Sequence, residues 1–225
     1  MNMKKAIKTY LRLTFNPIMT IIALIFAAVL MVAAVKEPAE PGSEDYMSMV
    51  GAIGFGHIGI LLFMLVGAMK TTQNKFFLSL PFAKDLITTA PVILCGALGL
   101  VFDLTAGLIT HFCWNGIPND DVIIVNAANT ILMTMIVCFI SKNSYNVLKF
   151  ILYMGYFLQG IFLPKIPGLS DGIFGGEAGH SLAACLLAAV IFIAGLGVTH
   201  LLLRKWWNSS LRGPINVPAA AIAAN

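Results

Sequence analysis

Six stretches of this chain, roughly 17–35, 47–69, 86–110, 122–141, 147–163 and 181–203, are almost wholly apolar and are separated by short clusters of charge. Each reaches or nearly reaches the ~20 residues with which a helix crosses ~30 Å of hydrocarbon. In lipid every backbone N–H and C=O must find its partner inside the protein, which leaves helices and closed barrels as spanning structures. A barrel would alternate apolar and polar residues over strands of ~10 residues, and these runs show no such alternation. The fifth run is short and is followed by Pro164 and Pro167. It is either tilted or continued by a partly buried outer segment.

A water-soluble alternative fails on composition. The chain is 59% hydrophobic and 11% charged, where a soluble domain is about 45–50% apolar and about 25% charged. The expectation is an all-α, polytopic membrane protein. Its six-span transmembrane domain covers 17–203, after a cytoplasmic interfacial segment (1–16) and before a cytoplasmic tail (204–225).

Orientation follows from the basic residues. Lys4, Lys5, Lys8 and Arg12 precede the first run; Lys70, Lys75 and Lys84 lie in the second connection, Lys142 and Lys149 in the fourth, and Arg204, Lys205 and Arg212 in the tail. The other connections hold only Lys36 and Lys165, against Glu37, Glu40, Glu44, Asp45, Asp120, Asp121, Asp171 and Glu177. Lys and Arg are retained in short cytoplasmic loops, so both termini are expected inside. The net charge of +4 then reflects topology and contact with membrane lipids, and makes no case for nucleic acid.

Within 1–16, Met3, Ile7, Tyr10, Leu11 and Thr14 recur at helical spacing, while Lys4, Lys8 and Arg12 share another face. That is the pattern of an amphipathic helix in the cytoplasmic interface; a plain basic flank to the first span reads equally well. The first apolar run, at ~19 residues, exceeds the ~7–15 of a secretory signal core, so Val32-Ala33-Ala34 is read as part of an uncleaved helix and not as a cleavage site.

Catalytic signatures are sparse. There is no G-x-x-x-x-G-K-[ST] phosphate loop and no H-E-x-x-H, so the chain is not expected to hydrolyse ATP or to act as an enzyme by itself. Gly54-Phe55-Gly56-His57-Ile58-Gly59 spells G-x-G-x-x-G inside an apolar run, without the strand that a nucleotide site requires before it. Gly51, Gly54, Gly56 and Gly59 read instead as a surface that another helix approaches closely. Cys95, Cys113, Cys138 and Cys185 have no C-x-x-C spacing and read as isolated buried thiols, although a Cys113–Cys185 bridge near the outer boundary is conceivable. His111 and Cys113 are too few for a metal site, and no cofactor is expected on this chain.

Polar residues inside the spans are costly and face a cavity or a partner. His57 falls near the middle of the second span, Asp103 in the outer half of the third, Asn126 and Asn129 in the outer half of the fourth, and Gln159 toward the outer end of the fifth. At ~1.5 Å per residue His57 and Asp103 come within roughly one helical turn in depth, close enough to pair if their spans are neighbours. Two readings stand: the five line a substrate path or a proton-sensitive gate, or they are satisfied hydrogen bonds between helices.

The connection from Lys70 to Asp85 is too apolar for a free loop, because Phe76, Phe77, Leu78, Leu80 and Phe82 surround Pro81. Such a segment rests on the membrane or on a partner. Leu80-Pro81, followed by Lys84, Asp85 and Ile87, resembles the permease subunits of ABC-2 type transporters, in which a Leu-Pro pair, a small or basic residue and an acidic residue precede the third span. The family has six spans with both ends inside, a basic interfacial helix at the start, and an irregular outer segment before the sixth span, which Pro164–Glu177 matches.

The resemblance implies a transmembrane permease half of an ATP-driven exporter. Its partners would be a second half, identical or paralogous, and a separate cytoplasmic ABC ATPase that binds the ATP. It also implies that the connection bearing Lys75, Phe76, Phe77, Leu80, Pro81, Lys84 and Asp85 contacts that ATPase. A peptide, drug or lipid is the substrate class, and the cell (plasma) membrane of a bacterium the expected location. A different reading is the six-span substrate-binding component of a vitamin importer, with 164–180 capping an outer pocket.

Overall fold

The computed structural model describes residues 2–36, 39–43, 45–139, 146–162, 165–166, 169, 171–177 and 179–208. Among these, the regular structure is helical throughout. In chain order the helices are α1 (Asn2–Thr14), α2 (Pro17–Lys36), α3 (Tyr46–Gln73), α4 (Lys75–Leu78), α5 (Ala83–Cys113), α6 (Asp120–Phe139), α7 (Asn146–Phe162) and α8 (Ser181–Asn208). Each apolar run of the sequence corresponds to one long helix. Positions 140, 141 and 163, at the ends of two expected runs, lie outside the described residues, as do Lys142, Pro164, Pro167 and the tail from 209.

Three helices, α5, α6 and α8, are long and apolar enough to cross a membrane. The number rises to as many as five if two bent pairs, α1 with α2 and the two arms of α3, each count as one span. The described part of α7 has 17 residues, or about 25 Å at ~1.5 Å per residue, a little short of the ~30 Å hydrocarbon core.

Between α1 and α2 the chain turns by 83°. Asn16 makes this break: its side-chain oxygen accepts the N–H groups of Ile18 and Met19 at 3.1 and 3.3 Å. Pro17 then occupies the first helical position, where a missing N–H costs nothing. α1 docks through Ala6, Tyr10 and Thr14, all buried, onto α3 and α5. The Tyr10 hydroxyl donates to the carbonyl of Met64 at 3.0 Å. The packed face is thus narrower than the apolar stripe of the sequence, since Leu11 is exposed beside Lys8 and Arg12.

α6 is the axis of the bundle, buried along nearly its whole length and flanked by α3, α5, α7 and α8. Glycines set the spacing around it. A Cβ on Gly54 would strike the Asn129 side chain of α6, one on Gly99 would strike Thr130, and one on Gly195 would come within 2.6 Å of Ile131. Gly56 and Gly59 do the same for other neighbours, meeting Phe102 of α5 and the backbone of Ala23 in α2. The glycine pattern therefore serves close approach between helices. Outward faces are apolar: Ile18, Ile22, Ile25 and Val29 on α2 and Leu182, Leu186, Val190 and Ile193 on α8 are all exposed. Surfaces of this kind are compatible with a membrane protein, whose helices turn such side chains to lipid.

Candidate functional site

The helix spacing brings three side chains from three helices together at the centre of the bundle. His57 of α3 is fully buried and its Nε2 lies 2.7 Å from Oδ1 of Asp103 on α5, whose side chain is 11% exposed. Thr130 of α6 completes the cluster, with its Oγ1 2.9 Å from His57 Nε2 and donating to Asp103 Oδ2 at 3.0 Å. The other ring nitrogen, Nδ1, is 2.9 Å from the carbonyl oxygen of Gly54, one turn back on α3. Tyr156 of α7 donates to that same carbonyl at 3.3 Å. The ring of Phe102 stands edge-to-face with the imidazole, 4.4 Å between centroids.

Four helices meet because small residues let them. Gly54 admits Asn129, Gly56 admits Phe102, and Gly99 admits Thr130, so the G-x-G pattern of α3 and one glycine of α5 are what bring the polar groups within hydrogen-bond reach. A hydroxyl, an imidazole and a carboxylate in contact suggest a nucleophile with its base, but the connectivity is wrong. In such a relay the carboxylate and the nucleophile bond to opposite ring nitrogens, whereas here both lie on Nε2.

Asn126 and Asn129 sit on α6 at the same level and one turn away. Both are fully buried. Asn129 lies against Gly54. Both amide atoms of Asn126 lack a hydrogen-bond partner among the described residues, an uncommon condition for a buried amide. For Gln159 the backbone belongs to α7, but its side chain lies outside the described residues. Of the five polar residues singled out in the sequence, the structure joins His57 to Asp103 and places Asn129 against Gly54, one turn from His57, with Asn126 a turn before Thr130 on α6. Thr130 and Tyr156 were not singled out. The available signal for Thr130 was its spacing: Asn126, Thr130 and Thr134 form an i, i+4, i+8 stripe on α6, and all three are fully buried.

The second candidate region is the connection between α3 and α5. α4 is a single helical turn, started by the Asn74 side chain, which accepts the N–H of Phe76 at 2.9 Å. Phe76 is 63% exposed. Phe77 and Leu80 turn the other way and pack, partly buried, on the cluster around Tyr10, Met64 and Leu86. Pro81 is exposed and Asp85 half-buried in the first turn of α5, where a carboxylate complements the helix dipole. Lys84 donates to the side-chain oxygen of Asn208 at 3.3 Å, which ties this region to the end of α8, where Arg204 and Lys205 are exposed. For Lys75 the side chain lies outside the described residues.

At the opposite end of the bundle the acidic residues behave differently from the loop charges expected of them. Asp120 and Asp121 are buried in the first turn of α6. Asp121 accepts the Tyr46 hydroxyl at 2.7 Å and the N–H of Ile173 at 2.7 Å. Cys113 and Cys185 are free and exposed, while Cys95 and Cys138 are buried, so burial of all four thiols does not hold. No protein-family model matches the chain, and no curated protein or solved structure matches it either.

Proposed function

We propose that this chain is the transmembrane permease half of an ATP-driven ABC-2 type exporter, with a separate cytoplasmic ATPase docking on the connection between α3 and α5. The observation that carries the reading is Phe76. It projects from a rigid one-turn helix at 63% exposure while its neighbours Phe77 and Leu80 are packed on the bundle. An exposed aromatic on a supported turn, a few residues before cationic Lys84 in the chain, suits a hydrophobic groove with an acidic rim on a partner protein. Because α4 lies in the short connection between α3 and α5, a push on Phe76 is delivered to the two helices that hold His57 and Asp103.

In this reading the chain binds no ATP itself, pairs with a second half in the cell membrane, and moves an amphipathic peptide, drug or lipid along a path beside the polar residues of α3, α5 and α6. The test is copurification from native membranes. Phe76→Ser is expected to lose the ATPase while the chain remains folded and inserted; an ATPase retained at the wild-type ratio would remove the main support for the proposal.

A second reading, the substrate-binding component of a vitamin importer, is favoured by an open depression of about 410 Å³ between Glu40, Pro41, Asn115, Asp171 and Gly175. Stoichiometry separates the two. Two copies of this chain per two ATPases fit the exporter, and one copy beside a distinct scaffold subunit fits the importer.

A further inference from the structure

Both ring nitrogens of His57 face oxygen atoms. Nδ1 lies 2.9 Å from the carbonyl oxygen of Gly54, which can only accept. Nε2 lies 2.7 Å from Oδ1 of Asp103, and an ionised carboxylate likewise only accepts. The Thr130 hydroxyl does not relieve this, since its single hydrogen is directed to Asp103 at 3.0 Å. Two hydrogens are therefore needed, one on each line, and a neutral imidazole beside an ionised carboxylate supplies only one.

We infer that His57 and Asp103 form a proton-binding site, holding between them one proton more than a neutral histidine and an ionised aspartate would carry. The extra proton sits on Nε2, giving an imidazolium–carboxylate pair, or on Asp103, whose O–H then donates to Nε2. Either way the cluster is electrically neutral, the condition that a membrane interior imposes most strongly. The edge-to-face ring of Phe102, 4.4 Å away, is an additional apolar wall.

Among the described residues, the groups facing the pair from the surrounding helices supply no other charge. α6 contributes Thr130, with Asn126 and Asn129 beyond it; α7 contributes the Tyr156 hydroxyl, which donates to Gly54 and not to the ring. α2 approaches this part of α3 through Ala23 and Phe26 at Gly59. Among the described residues neither His57 nor Asp103 makes a second ion pair.

Proton loss would leave a lone pair on Nε2 pointing at a carboxylate oxygen 2.7 Å away. The contact between α3 and α5 at this depth is thus conditional on the proton, and the partly exposed edge of Asp103 is where the proton enters and leaves. The inference does not depend on the transporter reading, and its test needs no ATPase.

The measurement is ¹⁵N NMR of histidine-labelled protein in lipid bilayers at neutral pH. It uses a His111→Gln, His180→Gln, His200→Gln background so that His57 alone reports, combined with the infrared carboxyl stretch. Two protonated ring nitrogens would establish the imidazolium form. A single protonated nitrogen with a protonated-carboxyl band that vanishes in Asp103→Asn would place the same proton on Asp103 and equally support the site. One protonated nitrogen with no such band would overturn it. Should the triple background fail to fold, the same shifts are read as the difference between wild-type spectra and those of His57→Gln.

Discussion

Tyr46 and Asp121, 75 positions apart in the chain, are joined by a 2.7 Å hydrogen bond from the phenol to the carboxylate. The other carboxylate oxygen takes the N–H of Ile173 at 2.7 Å. One buried side chain in the first turn of α6 therefore holds both the start of α3 and the turn before α8. Gly172 is part of the arrangement: its φ is +89°, and a Cβ there would strike Asp121. Tyr46→Phe removes one bond to a buried carboxylate and is expected to cost about 1–3 kcal/mol, read as a lower unfolding midpoint in detergent. An unchanged midpoint would mean that the phenol is replaceable by water.

Glycine substitutions should separate packing from propensity. Gly54→Ala puts a methyl into the Asn129 side chain, whereas Gly155, also helical, has nothing within 4 Å of the added carbon. The first is expected to destabilise by about 1–3 kcal/mol and the second to be neutral or to stabilise by up to ~1 kcal/mol. Equal midpoints for the two variants would refute the close approach of α3 and α6.

Leucine at the two intramembrane polar sites should act in opposite directions. Asp103→Leu removes the carboxylate that His57 Nε2 and the Thr130 hydroxyl share and leaves them only each other, 2.9 Å apart, at an expected cost of about 1–3 kcal/mol. Asn126→Leu removes an amide that has no partner among the described residues, so the variant should unfold at the same temperature or higher. If Asn126→Leu is stabilised and transport is nonetheless lost, the amide is there for the substrate and not for the fold.

Sidedness is tested with an impermeant thiol reagent on intact cells, in a background with exposed Cys113 and Cys185 changed to serine. The twelve of 14 Lys and Arg that fall in one set of connections predict labelling of Glu177→Cys and none of Asn74→Cys. Labelling of Asn74→Cys alone would invert the orientation.

Sequence carried the long helices because lipid-length apolar runs have few alternatives, but cutting those runs at charges misplaced their ends. α3 passes through Lys70, whose ammonium reaches the carbonyl of Leu13 at 3.4 Å. α6 begins at Asp120, because acidic residues belong in a first helical turn. A charge at the end of an apolar run therefore marks a helix terminus as readily as a loop. The pairing of His57 with Asp103 was open to a count of depth along two helices. Thr130 was harder to find, since threonine is cheap anywhere in a span and its role depends on the rotation of α6. The inward turn of Phe77 and Leu80 was hidden for a related reason: an apolar connection does not reveal which of its side chains has already found a surface.

The burial of α6 has a consequence for synthesis. The helix leaves the ribosome after α3 and α5, which pack against it, but well before α8, which covers another of its faces. Until the last helix arrives, a segment bearing Asn126, Asn129 and Thr130 must be kept from lipid by something else, either its earlier neighbours alone or the insertion machinery. A chain stopped after α7 should accordingly be held at that machinery or degraded rather than released as a smaller stable bundle, and pulse-chase of a truncation at residue 179 would reveal which.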